Sequence, residues 1–351
     1  MSTQTLPAPA LGFWSGVRSV FALEMKQRLR SRSWYVLLIV WFGVIGLVAT
    51  LTALGSSAEV GPQGPVLYEL MVGFILFFGL LLAPALSANA VNGDRAAGTL
   101  AVLQITLLRP GQILAGKWLA SWVASMGFLV ASIPFLLWAL ALGGVQPLSA
   151  VVAVVMLAVE LGIVCAVGVG VSALAARPLF SIVVTYMLVA LLGLGTLIAF
   201  ALSGFLTEGT VKVNSSTYSY TADGTEEYTC SGPLTEIPVA HTERIAWILA
   251  ANPFVVVADS TPSTAEPDRN GFPAAGVMEE ISDTVRLAQA GPEYSMPCVN
   301  GEVRGTSQPD VPPIWPLGLM LQAALAALLV FLGRLRLRTP VRNLSAGTRI
   351  A

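Results

Sequence analysis

Gly111-Gln-Ile-Leu-Ala-Gly116-Lys117 carries the spacing G-x-x-x-x-G-K, which begins a phosphate-binding loop. In such a loop, backbone N–H groups cradle phosphates and the lysine reaches the terminal ones. A following Ser or Thr ligates Mg²⁺, and the whole turn joins a strand to a helix. Here Trp118 stands where that hydroxyl is required, and an apolar run follows as far as Leu142. An indole cannot ligate Mg²⁺, so the spacing alone does not predict ATP hydrolysis by this chain. Other residues with chemical potential are few. Glu160 lies inside an apolar run, Cys230 and Cys298 share one polar segment, and Cys165 is surrounded by apolar neighbours. His241 stands without ligand-spaced partners, so no metal site is predicted, and no nucleophile–base–acid set is evident.

The elements that must position these residues follow from composition. Of 351 residues, 55% are apolar and only 11% are charged, against about 25% charged in soluble domains. A membrane span needs roughly 20 mostly apolar residues. Six runs qualify: Trp34 to Leu54, Val66 to Val91, Ile113 to Leu142, Leu148 to Ala176, Leu179 to Leu202 and Ile314 to Leu332. The predicted fold class is therefore an all-α polytopic membrane protein. It has six transmembrane helices, an N-terminal amphipathic interface helix, and a large extracytoplasmic loop between helices five and six. Met1 to Ala10 lacks the charged n-region of a cleavable signal peptide. Ile245 to Ala258 is also apolar, but it is short and interrupted by Asn252-Pro253. An interfacial or partly buried helix pair is expected there rather than a seventh crossing.

Placing both termini in the cytoplasm puts 14 of the 19 Lys and Arg residues in inner segments, as the positive-inside rule favours. The other five fall in the outer loop among fifteen carboxylates, giving that loop a net charge of −10. The predicted organisation is a disordered N-terminus over 1–10 and a cytosolic amphipathic helix over 11–33. Helices one to five occupy 34–202 with a loop at 92–112, the extracytoplasmic loop spans 203–313, helix six spans 314–333, and a basic cytosolic tail fills 334–351. Phe13, Trp14, Val17, Val20, Phe21 and Met25 form one face of the first helix, suited to lying on the lipid surface. The outer loop reads either as a small cap or as a solvated, weakly structured segment. Within it, Cys230 and Cys298 are candidates for a disulfide, as an even pair in an exported loop. Glu160, near the middle of the fourth span, is a candidate for the translocation path or a dimer interface, or else a protonated acid bonded to a neighbouring helix.

The second inner loop is the most specific stretch. Asp94-Arg95, Gly98-Thr99-Leu100, Leu103, Pro110 and Gly116-Lys117 resemble the first cytosolic loop of type-2 ATP-binding-cassette exporter permeases. There the pattern runs acid-Arg, Gly-Thr-Leu-Glu-hydrophobic, Pro and Gly-Lys. Ala101 stands where that family commonly has Glu, and the length of the outer loop also departs from the pattern. "ANPF" followed by Asp259 is similar to a motif of the family's outer segment. The resemblance extends over nearly the whole chain. It implies a coupling helix over 94–109, with Asp94, Arg95, Gly98, Thr99, Leu100, Leu103, Leu107 and Arg109 meeting a separate cytosolic ATPase subunit. ATP and Mg would sit in that partner, and no cofactor is expected on this chain. A second permease copy or paralogue, surrounding membrane lipid, a bacterial or archaeal plasma membrane, and export are further implications, with no nucleic-acid partner. Alternatives are a secondary transporter, a membrane enzyme acting on lipid-linked substrates, and a receptor or assembly factor using the acidic outer loop. The first predicts inverted repeats and several midplane polar residues; the sequence has Glu160 and no evident repeat.

Overall fold

Six helices are long and apolar enough to cross a bilayer in the computed structural model, which describes residues 12–56, 63–98, 108–220, 226–262, 276–303 and 309–337. They are Arg32–Gly55, Gly64–Ala96, Pro110–Ala141, Pro147–Leu174, Pro178–Leu206 and Trp315–Leu337, here the first to sixth spans. Each exceeds the roughly 20 residues that the hydrocarbon requires, so the chain is a multi-pass membrane protein. Five of them carry proline in the first turn: Pro65, Pro110, Pro147, Pro178 and Pro316. Its fixed φ suits a helix start, and its missing N–H is one that the first turn leaves unbonded anyway.

The second, third and fourth spans form the hub. Their apolar windows are 56%, 39% and 50% buried, against 17%, 11% and 22% for the first, fifth and sixth. Leu67, Met71 and Leu76 of the second span meet Phe128 and Leu129 of the third and Leu157, Leu161 and Cys165 of the fourth. Lipid is as apolar as leucine, so close contact and interhelical hydrogen bonds must hold such helices together. Both are present. A Cβ on Gly168 would lie 2.0 Å from the Ser87 hydroxyl, and one on Gly170 would lie 2.8 Å from the Leu329 backbone. The indoles of Trp118 and Trp122 donate to the carbonyls of Gly162 and Ala158 on the fourth span, each at 2.8 Å. Trp41 fastens the first span by donating to Phe128 O at 3.1 Å and Ser132 Oγ at 3.0 Å.

An entry helix, Phe13–Arg30, precedes the first span and is separated from it at Ser31. Its apolar face does not all turn to lipid. Phe13 and Trp14 are exposed, but Val17 and Val20 are 2% and 4% exposed. They are covered because Gly116 of the third span offers no side chain: a Cβ there would come within 2.6 Å of the Val20 Cβ. The entry helix is thus packed on protein through its middle.

The described part of 203–313 is folded and contains a β-sheet, so the chain is mostly helical rather than all-α as expected: a Val- and Thr-rich stretch outside the spans favours strand. Strands β1 (Glu208–Tyr220) and β2 (Glu226–Ala240) pair antiparallel with a bulge between Val213 and Ser215. Short strands β3 (Cys298–Val299) and β4 (Glu302–Val303) complete a sheet of order β2-β1-β3-β4. A disulfide joins Cys230 of β2 to Cys298 of β3, with Cα atoms 5.7 Å apart. The apolar stretch 245–258 forms two short helices, Trp247–Ala250 and Pro253–Ser260, broken at Asn252. A third helix of this segment, Val277–Ala290, packs against the second of these.

Candidate functional site

The loop between the second and third spans is built from the end of the second span onward. After the Ser87 turn, the chain forms one short helix, Asn92–Ala96. The Ser172 hydroxyl of the fourth span accepts from the Val91 and Asn92 amides, each at 3.1 Å. Ser181 of the fifth span donates to Ala88 O at 2.6 Å. Arg95 turns back and donates to Ala175 O at 2.6 Å and Asn92 Oδ1 at 3.2 Å. Gly98 then takes φ +74°, a left-handed conformation that only glycine adopts without strain. Of the predicted coupling residues, Asp94, Arg95, Gly98 and Arg109 are therefore located. Thr99, Leu100, Leu103 and Leu107 lie outside the described residues.

Lys117, the last letter of the phosphate-loop lookalike, is the centre of this end of the molecule. The G-x-x-x-x-G-K segment is itself helical, in the first two turns of the third span after Pro110. The Lys117 side chain is 1% exposed; its ammonium meets Asp94 Oδ2 at 2.6 Å and Glu24 Oε1 of the entry helix. One cation thus joins this loop, the third span and the entry helix. A buried ammonium is tolerable only when paired in this way. Arg28 adds a second tie, donating to Leu86 O at 2.8 Å and to Ser121 Oγ at 3.1 Å. Burial pulls its guanidinium below the ordinary value, opposed by the Glu24 carboxylate, and the group stays cationic at physiological pH. Gln112 closes the start of the third span. Its carbonyl oxygen accepts from the Arg109 amide at 2.7 Å, and its amide donates to Gly12 O at 3.2 Å and Phe13 O at 3.3 Å.

The opposite end has a different chemistry. Asp259 Oδ2 accepts from the Ile314 and Trp315 amides at 2.6 and 3.1 Å, capping the sixth span. Its other oxygen meets Arg286 Nε at 3.1 Å. Asn252 donates to Gly193 O at 2.8 Å and Thr196 Oγ1 at 3.0 Å. Gly193 sits in a π-turn, Leu191–Gly195, that interrupts the fifth span; such a turn disturbs the regular ladder and leaves a carbonyl for outside donors. The ANPF segment and Asp259 are thus clasps that tie the helices of 203–313 to the fifth and sixth spans. Glu69 of the second span accepts from the Met278 and Glu279 amides at 3.0 and 3.3 Å, capping helix Val277–Ala290. Beside these lies a cavity of about 280 Å³, lined by Glu69, Asp259, Glu279, Asp283 and Arg286 among others. Burial raises the Asp283 carboxyl above its usual value, with Arg286 opposing.

Glu160 is fully enclosed, and neither carboxylate oxygen finds a hydrogen-bond partner within bonding geometry among the described residues. Gln322 of the sixth span neighbours it, and the Gln322 amide donates to Ala251 O at 3.1 Å. Glu160 is not among the residues that line the cavity beside Glu69 and Asp259. His241, expected to stand alone, has Glu243 Oε1 at 2.8 Å from Nδ1. Cys165 is buried and unbridged.

Sequence reasoning placed Asp94 and Arg95 in one loop but missed that Lys117 and Glu24 complete their setting. A signal existed. Glu24 is the sole acid in a strongly basic entry segment, and Lys117 sits deep at the start of an apolar run. No family model matches this chain, and no curated protein matches it.

Proposed function

We propose that the chain is the permease subunit of an ATP-binding-cassette transporter of the type-2 exporter kind. A separate cytosolic ATPase docks on residues 94–109, and two permease chains, identical or paralogous, form the path. The observation that carries this reading is the bracing of the inner loop. Asp94 is tied to the third span and entry helix through Lys117, and Arg95 to the end of the fourth span through Ala175 O. A force applied to 99–108 would therefore enter several rigid helices at once, rather than dissipate in a slack connection. Lys and Arg concentrate at this end, which supports its cytoplasmic placement, with both termini inside a bacterial or archaeal plasma membrane. The entry helix then lies at the inner leaflet with Phe13 and Trp14 available to lipid. The acidic cavity and the disulfide-linked sheet face the exterior, where an exported substrate leaves. ATP and Mg belong to the partner subunit, which performs the hydrolysis.

Co-purification with the candidate ATPase tests the reading. Gly98→Pro, which abolishes the left-handed turn at φ +74°, and Leu103→Asp, which replaces an apolar residue of the predicted coupling segment by a charge, are each expected to lower recovery of the ATPase severalfold. Wild-type recovery with both variants would overturn the assignment.

A further inference from the structure

An open apolar groove of about 660 Å³ runs along the third, fourth and sixth spans and plays no part in the coupling described above. Trp118 and Trp122 form one wall, stacked with ring centroids 5.7 Å apart. Their N–H groups are already engaged by fourth-span carbonyls, so only ring faces and edges meet an occupant. On the sixth span the lining includes Ala323 and Ala327, whose short side chains leave the groove open. From Ala323 to Arg334 the sixth span rises ~17 Å at about 1.5 Å per residue. That is close to the depth of one leaflet, half of a hydrocarbon core about 30 Å thick. The groove ends at Gly111 and Arg334, on the same end of the bundle as Lys117. Arg334 has no carboxylate within salt-bridge distance among the described residues.

We infer that this groove is a binding site for one anionic phospholipid. An acyl chain lies along the tryptophan wall, and the phosphate-bearing headgroup pairs with Arg334. Within the bilayer, an open apolar channel is filled by lipid or by another helix, because water has no polar groups to bond there. The cation at the headgroup end favours a net anionic lipid over a zwitterionic one: both offer a phosphate to its paired N–H donors, but the choline ammonium of the zwitterionic lipid offsets that attraction. The inference requires only a membrane-embedded chain and stands independently of any ATPase.

Native mass spectrometry of the detergent-solubilised protein, titrated with dioleoylphosphatidylglycerol or dioleoylphosphatidylcholine, tests it. One phosphatidylglycerol is expected to bind each chain about tenfold more tightly than phosphatidylcholine. Arg334→Gln should erase that preference. Ala323→Phe with Ala327→Phe should remove the tight site while leaving the melting temperature near wild type, because both positions are exposed. Equal affinity for the two lipids in the wild type, or a tight site surviving both changes, would overturn the inference. Efficient disulfide formation between copies carrying Ala327→Cys in native membranes would overturn it too, by giving the groove to a second chain.

Discussion

Lys117 occupies a position hostile to a free lysine, 1% exposed at the end of a membrane helix, and two carboxylates make it tenable. The same three groups also set a trap for mutation. Removing the ammonium takes away the cation that Glu24 and Asp94 share, and breaking a largely buried pair from one side costs about 3–5 kcal/mol. Lys117→Met is therefore expected to lower the melting temperature in detergent markedly. Adding Glu24→Gln and Asp94→Asn to it should restore much of the loss, because a neutral, apolar replacement of a whole ion cluster is far cheaper than a broken one. A single variant as stable as wild type would show that the cluster contributes nothing. Asp259 teaches a related lesson with a different partner set. One carboxylate serves both as the cap of the sixth span and as the counter-ion of Arg286. In sequence its place after ANPF marks it as part of a motif, but neither of these two partners is legible there.

The entry helix depends on a missing side chain. Gly116 lets Val17 and Val20 close on the third span, and a Cβ would approach the Val20 Cβ to 2.6 Å and Val17 O to 3.0 Å. Gly116→Val should lift the entry helix, with faster tryptic cleavage between Arg18 and Arg32 than in wild type. Gly43→Val, on an open face of the first span where nothing lies within 4 Å of a new Cβ, should leave that rate unchanged. Spans such as Pro147–Leu174 were legible in the sequence because a run of twenty apolar residues has few other uses. Which face of an apolar stripe meets lipid and which meets protein was not legible, since both surroundings are apolar and only the partner's shape decides. The same reasoning explains the ion cluster: Glu24 and Lys117 lie 93 residues apart, and no local pattern pairs them. The hairpin had a local signal in the Val- and Thr-rich stretch from Thr210 to Thr217, which favours strand. Turn-rich neighbours and the length of the acidic loop obscured it. The π-turn at Leu191–Gly195 had no signal separable from an ordinary apolar helix, and Asn252 became intelligible only once its carbonyl partner was placed.

At the scale of the whole molecule, the two ends of the bundle are clasped differently. The inner end is held by buried charge around Lys117 and by Arg95 on Ala175 O, and the outer end by helix caps at Asp259 and Glu69. The fourth span lies between them, bonded to the inner loop through Ser172 and to the third span through both indoles. Docking and transmission are consequently separable tasks in the proposed transporter. Docking belongs to the surface of 99–108, whereas transmission belongs to the ties that anchor this segment to the spans. Asp94→Asn keeps the side chain's size but removes one of the two charges holding Lys117, so it should slacken the anchor without altering the docking surface. In the reconstituted complex, Asp94→Asn is expected to co-purify with the ATPase normally while ATP-dependent transport falls severalfold relative to ATP turnover. Leu103→Asp should lose both together, because its ATPase no longer docks. If Asp94→Asn transported at the wild-type rate per ATP, the ion cluster would be a stabilising device only. Coupling would then have to run through Arg95 and the fourth span.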